Sequence, residues 1–69
     1  MQHSLIQFFN YDHLPDNLKN VSRPFGQLAV LLDEILPANA EKTTALRNLL
    51  SAKDNAVRAI IYKEPATGG

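Results

Sequence analysis

The chain has 69 residues and no cysteine, and its seven lysines and arginines balance seven aspartates and glutamates. A domain of this size buries only about 60% of its unfolded surface and usually needs further support. The lack of cysteine excludes disulfides and argues against a structural zinc. The balanced charge argues against a nucleic-acid polymer as partner. We therefore expect oligomerisation to supply the support, with no metal and no cofactor.

The hydropathy of the sequence favours a cytoplasmic protein. No apolar run approaches the length of a membrane span, and no basic segment followed by an apolar one opens the chain. The absence of cysteine fits the same compartment.

The first half predicts a short lead and an interrupted helix. Residues 1–10 form a lead that is either a helical turn or two or an extended segment. Leu14-Pro15-Asp16 predicts a helix start, because proline is tolerated in the first turn and an acid favours the positive helix end. The residues that follow place apolar side chains at steps of three and four, which indicates an amphipathic helix. They are Leu18, Val21, Phe25, Leu28, Leu32 and Ile35.

Pro24 lies inside this pattern, where a proline removes one helical hydrogen bond and crowds the preceding turn. Ser22 offers an N-cap just before it. The sequence therefore predicts a helix over residues 15–21, a kink or restart at Ser22, and a helix to about Leu36.

The second half predicts one long helix. Leu36-Pro37-Ala38-Asn39 turns the chain, and Asn39 can cap the next helix with Glu41 in its first turn. No glycine or proline occurs from residue 40 to about 62. The prediction is an all-α fold, a kinked antiparallel helical hairpin over residues 1–63 in a single domain, with a disordered tail over 64–69.

The second helix is too apolar for one partner helix. Its apolar residues cover more than half of the circumference at about 100° per residue. The surplus predicts helices from other subunits, and hence a homo-oligomeric bundle, because large apolar patches usually mark interfaces. The alternative is that the N-terminal segment folds back over it. The residues concerned are Ala45, Leu46, Leu49, Leu50, Ala52, Ala56, Val57, Ala59, Ile60 and Ile61.

The aromatic segment before the first helix offers two candidate ligand residues. The ring of Tyr11 is a platform on which a nucleobase can stack, or it plugs the open end of the hairpin together with Phe8 and Phe9. His13 either binds a ligand or caps a helix and packs on a ring. No activated nucleophile accompanies His13 and Asp12, so we expect no catalysis.

Two cations are further candidates. Arg23 lies at the predicted kink, where a cation beside exposed backbone N–H groups suits a phosphate; otherwise it is an exposed arginine. Lys53 falls within the apolar arc of the second helix and needs a partner there. Asp33 or Glu34 of the first helix, within the chain or from another subunit, is the favoured partner, and a ligand phosphate is the alternative.

Several segments, read in order, carry a family resemblance. They are the aromatic-Tyr-x-His-Leu-Pro opening, then Val21-Ser22-Arg23-Pro24-Phe25-Gly26-Gln27-Leu28-Ala29, then Leu36-Pro37 and Glu41-Lys42-Thr43, then Ala45-Leu46-Arg47-Asn48-Leu49-Leu50-Ser51-Ala52-Lys53-Asp54-Asn55-Ala56-Val57-Arg58-Ala59. Together they resemble the small phage anti-CBASS cyclic-nucleotide sponges, over roughly Phe8 to Ile61.

The resemblance implies a helical hairpin that assembles into a compact homohexamer in the cytoplasm of the infected bacterial host. Such sponges bind cyclic dinucleotides, cyclic GMP-AMP among them, between paired subunits, and some also hold cyclic trinucleotides. They sequester the ligand without cleaving it. The family's ligand tyrosine maps onto Tyr11, and the nearest match for its phosphate-binding cation is Arg23. Lys63 is the nearest match for the basic residue of the trinucleotide site. Gly26, rather than a basic residue, precedes Gln27-Leu28-Ala29.

The sequence thus predicts a ligand-binding set of Tyr11, His13, Ser22, Arg23, Lys53 and Lys63. A protein–protein interaction module is the alternative function, in which the apolar surplus would dock on a host or phage partner. A small DNA-binding protein is the weakest alternative, for want of positive charge.

Overall fold

A computed structural model describes residues 3–62 of the chain. A 3-10 helix over Ser4–Phe9, called the lead-in below, precedes two long helices. Helix α1 spans Asp16–Ile35 and helix α2 spans Ala40–Ile61. The two long helices pack against each other as a hairpin, and the lead-in packs against both. The predicted all-helical hairpin with a short helical lead-in is confirmed; the proposed tail over 64–69 lies outside the described residues.

The helix ends follow the predicted signals. Pro15 is the N-cap of α1 and Asp16 its first residue. The Asn39 side chain caps α2, where its Oδ1 accepts a hydrogen bond from the Lys42 backbone N–H at 2.9 Å. Glu41 lies in the first turn of α2, next to the positive end of the helix dipole.

The predicted restart at Ser22 is wrong, because α1 is continuous through Pro24. Proline has no N–H, so the carbonyl of Asn20 loses its helical donor. Packing outweighs that loss: Ser22 and Gly26, on either side of Pro24, are both buried. Residues on both sides of the proline are therefore packed against the rest of the chain, and a break would disturb that packing.

The core is small. Its buried apolar side chains are contributed by the lead-in, α1 and α2, and partly buried neighbours surround them. The lead-in folds back and covers part of the apolar surface that one partner helix leaves open, as the alternative interpretation predicted. The buried residues are Ile6, Phe9, Ala29 and Leu46, with Leu5, Phe25, Leu32, Leu49 and Leu50 packed against them.

Much apolar surface nevertheless remains open. Phe8 is 54% exposed, so the prediction that both phenylalanines plug the hairpin is right for buried Phe9 and wrong for Phe8. Other exposed apolar residues lie on α1 and at the end of α2, where neither the lead-in nor the partner helix covers them. They are Leu28, Val30, Leu31, Ile35, Ile60, Ile61 and Tyr62.

Asp33 of α1 links the start of the lead-in to the first turn of α2. Its carboxylate accepts hydrogen bonds from the His3 backbone N–H at 3.2 and 3.3 Å. Lys42 Nζ lies 2.9 Å from Asp33 Oδ1 and donates to the Asp33 carbonyl at 2.9 Å. The hydrogen bond from Lys42 holds the pKa of Asp33 below its ordinary value of 3.8. One carboxylate thereby joins the three helices.

Candidate functional site

Tyr11 and Arg23 come together on the lead-in side of α1. Tyr11 follows the lead-in and is half-buried, whereas Arg23 projects from α1 and is exposed. The Arg23 guanidinium carbon lies 5.8 Å from the centroid of the Tyr11 ring, within the range of a cation–π contact. The two residues predicted as the base-stacking platform and the phosphate-binding cation therefore lie side by side within one chain.

Gly26 allows the Tyr11 ring to approach α1 closely. A Cβ atom at Gly26 would lie 3.0 Å from both Cδ1 and Cε1 of Tyr11, and 3.0 Å from the carbonyl oxygen of Phe9. Few real Cβ contacts are that short, and the Phe9 oxygen belongs to the backbone, which cannot swing aside as a side chain can. The glycine that departs from the expected basic residue is thus a packing requirement of the tyrosine.

An open pocket of about 330 Å³ adjoins the ring. We call it the Tyr11 pocket. It lies between the lead-in and α1, and carbonyl, amide and apolar groups surround it. Its lining residues are Ile6, Gln7, Phe9, Asn10, Tyr11, Gly26 and Val30.

A separate groove of about 370 Å³ holds three other predicted ligand residues, His13, Ser22 and Lys53. We call it the Ser22 groove. It lies where the lead-in segment meets α1 and α2. Its other lining residues are Gln7, Phe8, Asn10, Leu14, Asp54, Val57 and Arg58. The predicted ligand set is therefore divided: Tyr11 and Arg23 form one group, and these three residues form another.

The predicted roles of Arg23 and Ser22 need correction. Neither residue lies at a helix start, since α1 begins at Asp16 and runs through both. Arg23 consequently has no free backbone N–H groups beside it to share a phosphate. Ser22 is not an N-cap, and its hydroxyl is buried with no hydrogen-bond partner in the described part of the chain.

Within one chain, neither favoured partner pairs with Lys53. Asp33 is engaged by Lys42, and Glu34 is exposed. Lys53 Nζ lies instead 2.8 Å from Oδ1 of Asp54, the next residue along α2. The Lys53 side chain is 15% exposed, while the Asp54 side chain is 44% exposed.

Lys63 lies outside the described residues, so its predicted role in trinucleotide binding stays a prediction. His13 is exposed, and within residues 3–62 it makes no cap hydrogen bond. Sequence reasoning missed Phe8 and Arg58 as groove residues. The available signals were an aromatic residue beside a second one at Phe9, and a basic residue four positions after Asp54, on the same face of α2.

Two classes of feature are lacking in the described range. Across residues 3–62, no group of three or more histidine, aspartate or glutamate side chains is arranged to hold a metal ion. Over the same residues, neither long helix has the apolar length that a membrane crossing requires.

Comparison with known proteins gave no match: a scan of family models, a search of curated proteins and a search of solved structures each found none.

Proposed function

We propose that this chain is a phage sponge that binds cyclic dinucleotides without cleaving them, and thereby blocks CBASS immune signalling in the cytoplasm of the infected bacterium. The observation that carries the proposal is the pairing of Arg23 with Tyr11 at 5.8 Å beside an open pocket. The segment resemblance described above supports the same function.

The proposed mechanism needs two copies of the pair. In an isologous interface each subunit presents the same groups, so two tyrosines and two arginines meet across a two-fold axis. A cyclic dinucleotide carries two bases and two phosphates. Each Tyr11 ring stacks on one base, worth about 1–3 kcal/mol, and each Arg23 neutralises one phosphate through a charge-assisted hydrogen bond.

The geometry without ligand allows Arg23 to exchange its contact with the Tyr11 ring for a contact with a phosphate. A cation–π contact at an exposed site is worth only about 0.5–1 kcal/mol, so Arg23 can leave the ring for a phosphate at little cost. The lack of a side chain at Gly26 meanwhile lets Cδ1 and Cε1 of the Tyr11 ring lie close to α1. In the proposal the packed Tyr11 ring is the stacking platform, and the exposed Arg23 guanidinium is the phosphate clamp.

Exposed apolar residues support assembly. Val30 lines the Tyr11 pocket and is 42% exposed, and Leu31 next to it is 49% exposed. A second subunit seated on these residues would close the pocket and add to the small core. The proposed assembly is a homohexamer, as the resemblance implies.

A sequestration experiment tests this function. The purified chain is incubated with 3′,3′-cyclic GMP-AMP, the free ligand is measured after filtration, and the protein is then denatured to release what it holds. The proposal predicts depletion of free ligand and full recovery of the intact cyclic compound. No depletion, or recovery of a linear product, would contradict it.

A protein–protein interaction module is the second candidate, favoured by one observation. Ile60, Ile61 and Tyr62 are all about half exposed or more at the end of α2, as a docking surface for another protein would be. Mass measurement under native conditions separates the two functions. A self-contained oligomer that takes up cyclic dinucleotide favours the sponge, and a monomer that does not bind it favours the module.

A further inference from the structure

The Ser22 groove has the features of a ligand site of its own. Tyr11, Arg23 and Gly26 do not line it, so it is distinct from the place where we propose that a cyclic dinucleotide binds. Its volume of about 370 Å³ lies within the ordinary range of small-molecule pockets, about 300–1,000 Å³.

A buried hydroxyl without a hydrogen-bond partner borders the groove. Ser22 is 1% exposed, and its Oγ has no hydrogen-bond partner among the described residues. Buried polar groups in proteins are nearly always paired, and an exception calls for an explanation. Helical serines commonly bond back to the carbonyl one turn earlier, and Ser22 does not. A ligand atom in the groove would supply the missing partner.

The charges of the groove favour an anionic group. Lys53 and Arg58 have basic side chains, Asp54 has an acidic one, and all three line the groove. With two basic side chains and one acidic one, the groove has a net charge of one positive unit, which an anionic ligand would neutralise. The ion pair of Lys53 with half-exposed Asp54 is of the kind that contributes little stability. A phosphate can therefore take the place of Asp54 at the Lys53 ammonium.

The groove also has an aromatic wall. Phe8 lines it and is 54% exposed although its neighbour Phe9 is buried. An exposed aromatic face is a platform for a nucleobase whatever its identity. The amide side chains of Gln7 and Asn10 line the groove as well, and they offer donors and acceptors to the polar edge of a base.

We propose that the Ser22 groove binds a nucleoside 5′-monophosphate within a single chain. The base stacks on Phe8, the phosphate contacts Lys53 and Arg58, and the Ser22 hydroxyl donates a hydrogen bond to it. The inference stands on the groove alone and does not depend on cyclic-dinucleotide binding at Tyr11.

Calorimetric titration of the full chain with 5′-AMP and 5′-GMP at fixed salt tests the proposal. We expect saturable binding of both nucleotides, since stacking tolerates any base. Lys53→Met removes a charged phosphate contact and should weaken binding at least about tenfold. Arg47→Met is the matched control: it removes one positive charge from an exposed position of the same helix outside the groove, and should leave the affinity within about twofold at a fixed salt concentration that screens distant charges.

Phe8→Ala and Tyr11→Ala complete the test. Phe8 is exposed, so its replacement should preserve the fold and weaken AMP binding by about fivefold or more through lost stacking. Tyr11→Ala should leave AMP binding unchanged, which separates this groove from the dinucleotide site.

Three outcomes would overturn the proposal. One is the absence of binding at millimolar AMP and GMP. The second is an equal loss in the Lys53→Met and Arg47→Met variants, which would indicate attraction by overall charge. The third is binding of inorganic phosphate as tight as that of AMP, which would show that no nucleoside is recognised.

Discussion

The guanidinium carbon of Arg23 lies 5.8 Å from the centroid of the Tyr11 ring. The two residues belong to different parts of the hairpin: Tyr11 follows the lead-in and Arg23 lies within α1. Their contact therefore depends on the fold-back of the N-terminal segment, which buries Ile6 and Phe9 in the core. Changes that loosen this segment should disturb the pair before they unfold the hairpin.

Replacement of Tyr11 is the first test of the pair. Tyr11→Ala should abolish cyclic-dinucleotide binding and leave the oligomer intact, because the ring supplies the stacking surface. Tyr11→Phe keeps the ring and should bind with nearly wild-type affinity. Titration calorimetry with 3′,3′-cyclic GMP-AMP measures both. Unchanged affinity in Tyr11→Ala would remove this residue from the site.

Arg23→Ala should weaken dinucleotide binding by about tenfold or more, since a hydrogen bond to a charged group is worth about 1.5–3 kcal/mol. It should also reduce the salt dependence of the affinity, because fewer charges are neutralised on binding. Titrations at several salt concentrations measure both effects, with the exposed Arg47→Ala as control. If wild type and Arg23→Ala had the same affinity at every salt concentration, a phosphate contact by Arg23 would be excluded.

Gly26→Ala should lower both stability and dinucleotide affinity. Alanine in place of glycine usually stabilises a helix interior by about 1 kcal/mol. Here the added Cβ would lie 3.0 Å from the Phe9 carbonyl oxygen and from the Tyr11 ring, so the lead-in segment must shift. Urea unfolding and calorimetry measure the two effects, and exposed Ser51→Ala serves as the control. A more stable Gly26→Ala variant with unaltered affinity would refute the packing role.

Asp33→Asn should destabilise the chain at neutral pH and matter progressively less in acid. The pKa of Asp33 is lowered in the folded chain, chiefly by the hydrogen bond from Lys42. A carboxyl whose folded pKa is lowered contributes stability above its unfolded pKa, and loses it as the pH falls through the folded value. The difference in the free energy of unfolding between wild type and Asp33→Asn should therefore decrease as the pH falls below 3.8. Urea unfolding at a series of pH values measures this, and a constant difference would contradict it.

The sequence predicted the helices well because their signals are local. Steps of three and four between apolar residues, the Pro15-Asp16 start and the Asn39 cap each depend on neighbours within a turn or two. The predicted break at Ser22 failed for the opposite reason. Pro24 removes one hydrogen bond, and that local effect was weighed without the buried contacts of Ser22 and Gly26 on either side of it.

The site was less predictable because its contacts are not local. Helix periodicity placed Lys53 in an apolar arc, but it could not show that Lys42 already occupies Asp33. Likewise, Phe8 and Phe9 are neighbouring residues of the same type, so the sequence does not distinguish them. Only the fold of the lead-in determines that Phe9 is buried and that Phe8 lines the Ser22 groove. The need for glycine at position 26 also follows from the approach of the Tyr11 ring, which no spacing rule reveals.

Native mass spectrometry of the chain titrated with 3′,3′-cyclic GMP-AMP tests the central claim, that the ligand is held by Tyr11 and Arg23 of two subunits together. The account predicts an oligomer that saturates at one dinucleotide for every two chains, with no liganded monomer. A single chain carrying its own dinucleotide would contradict it.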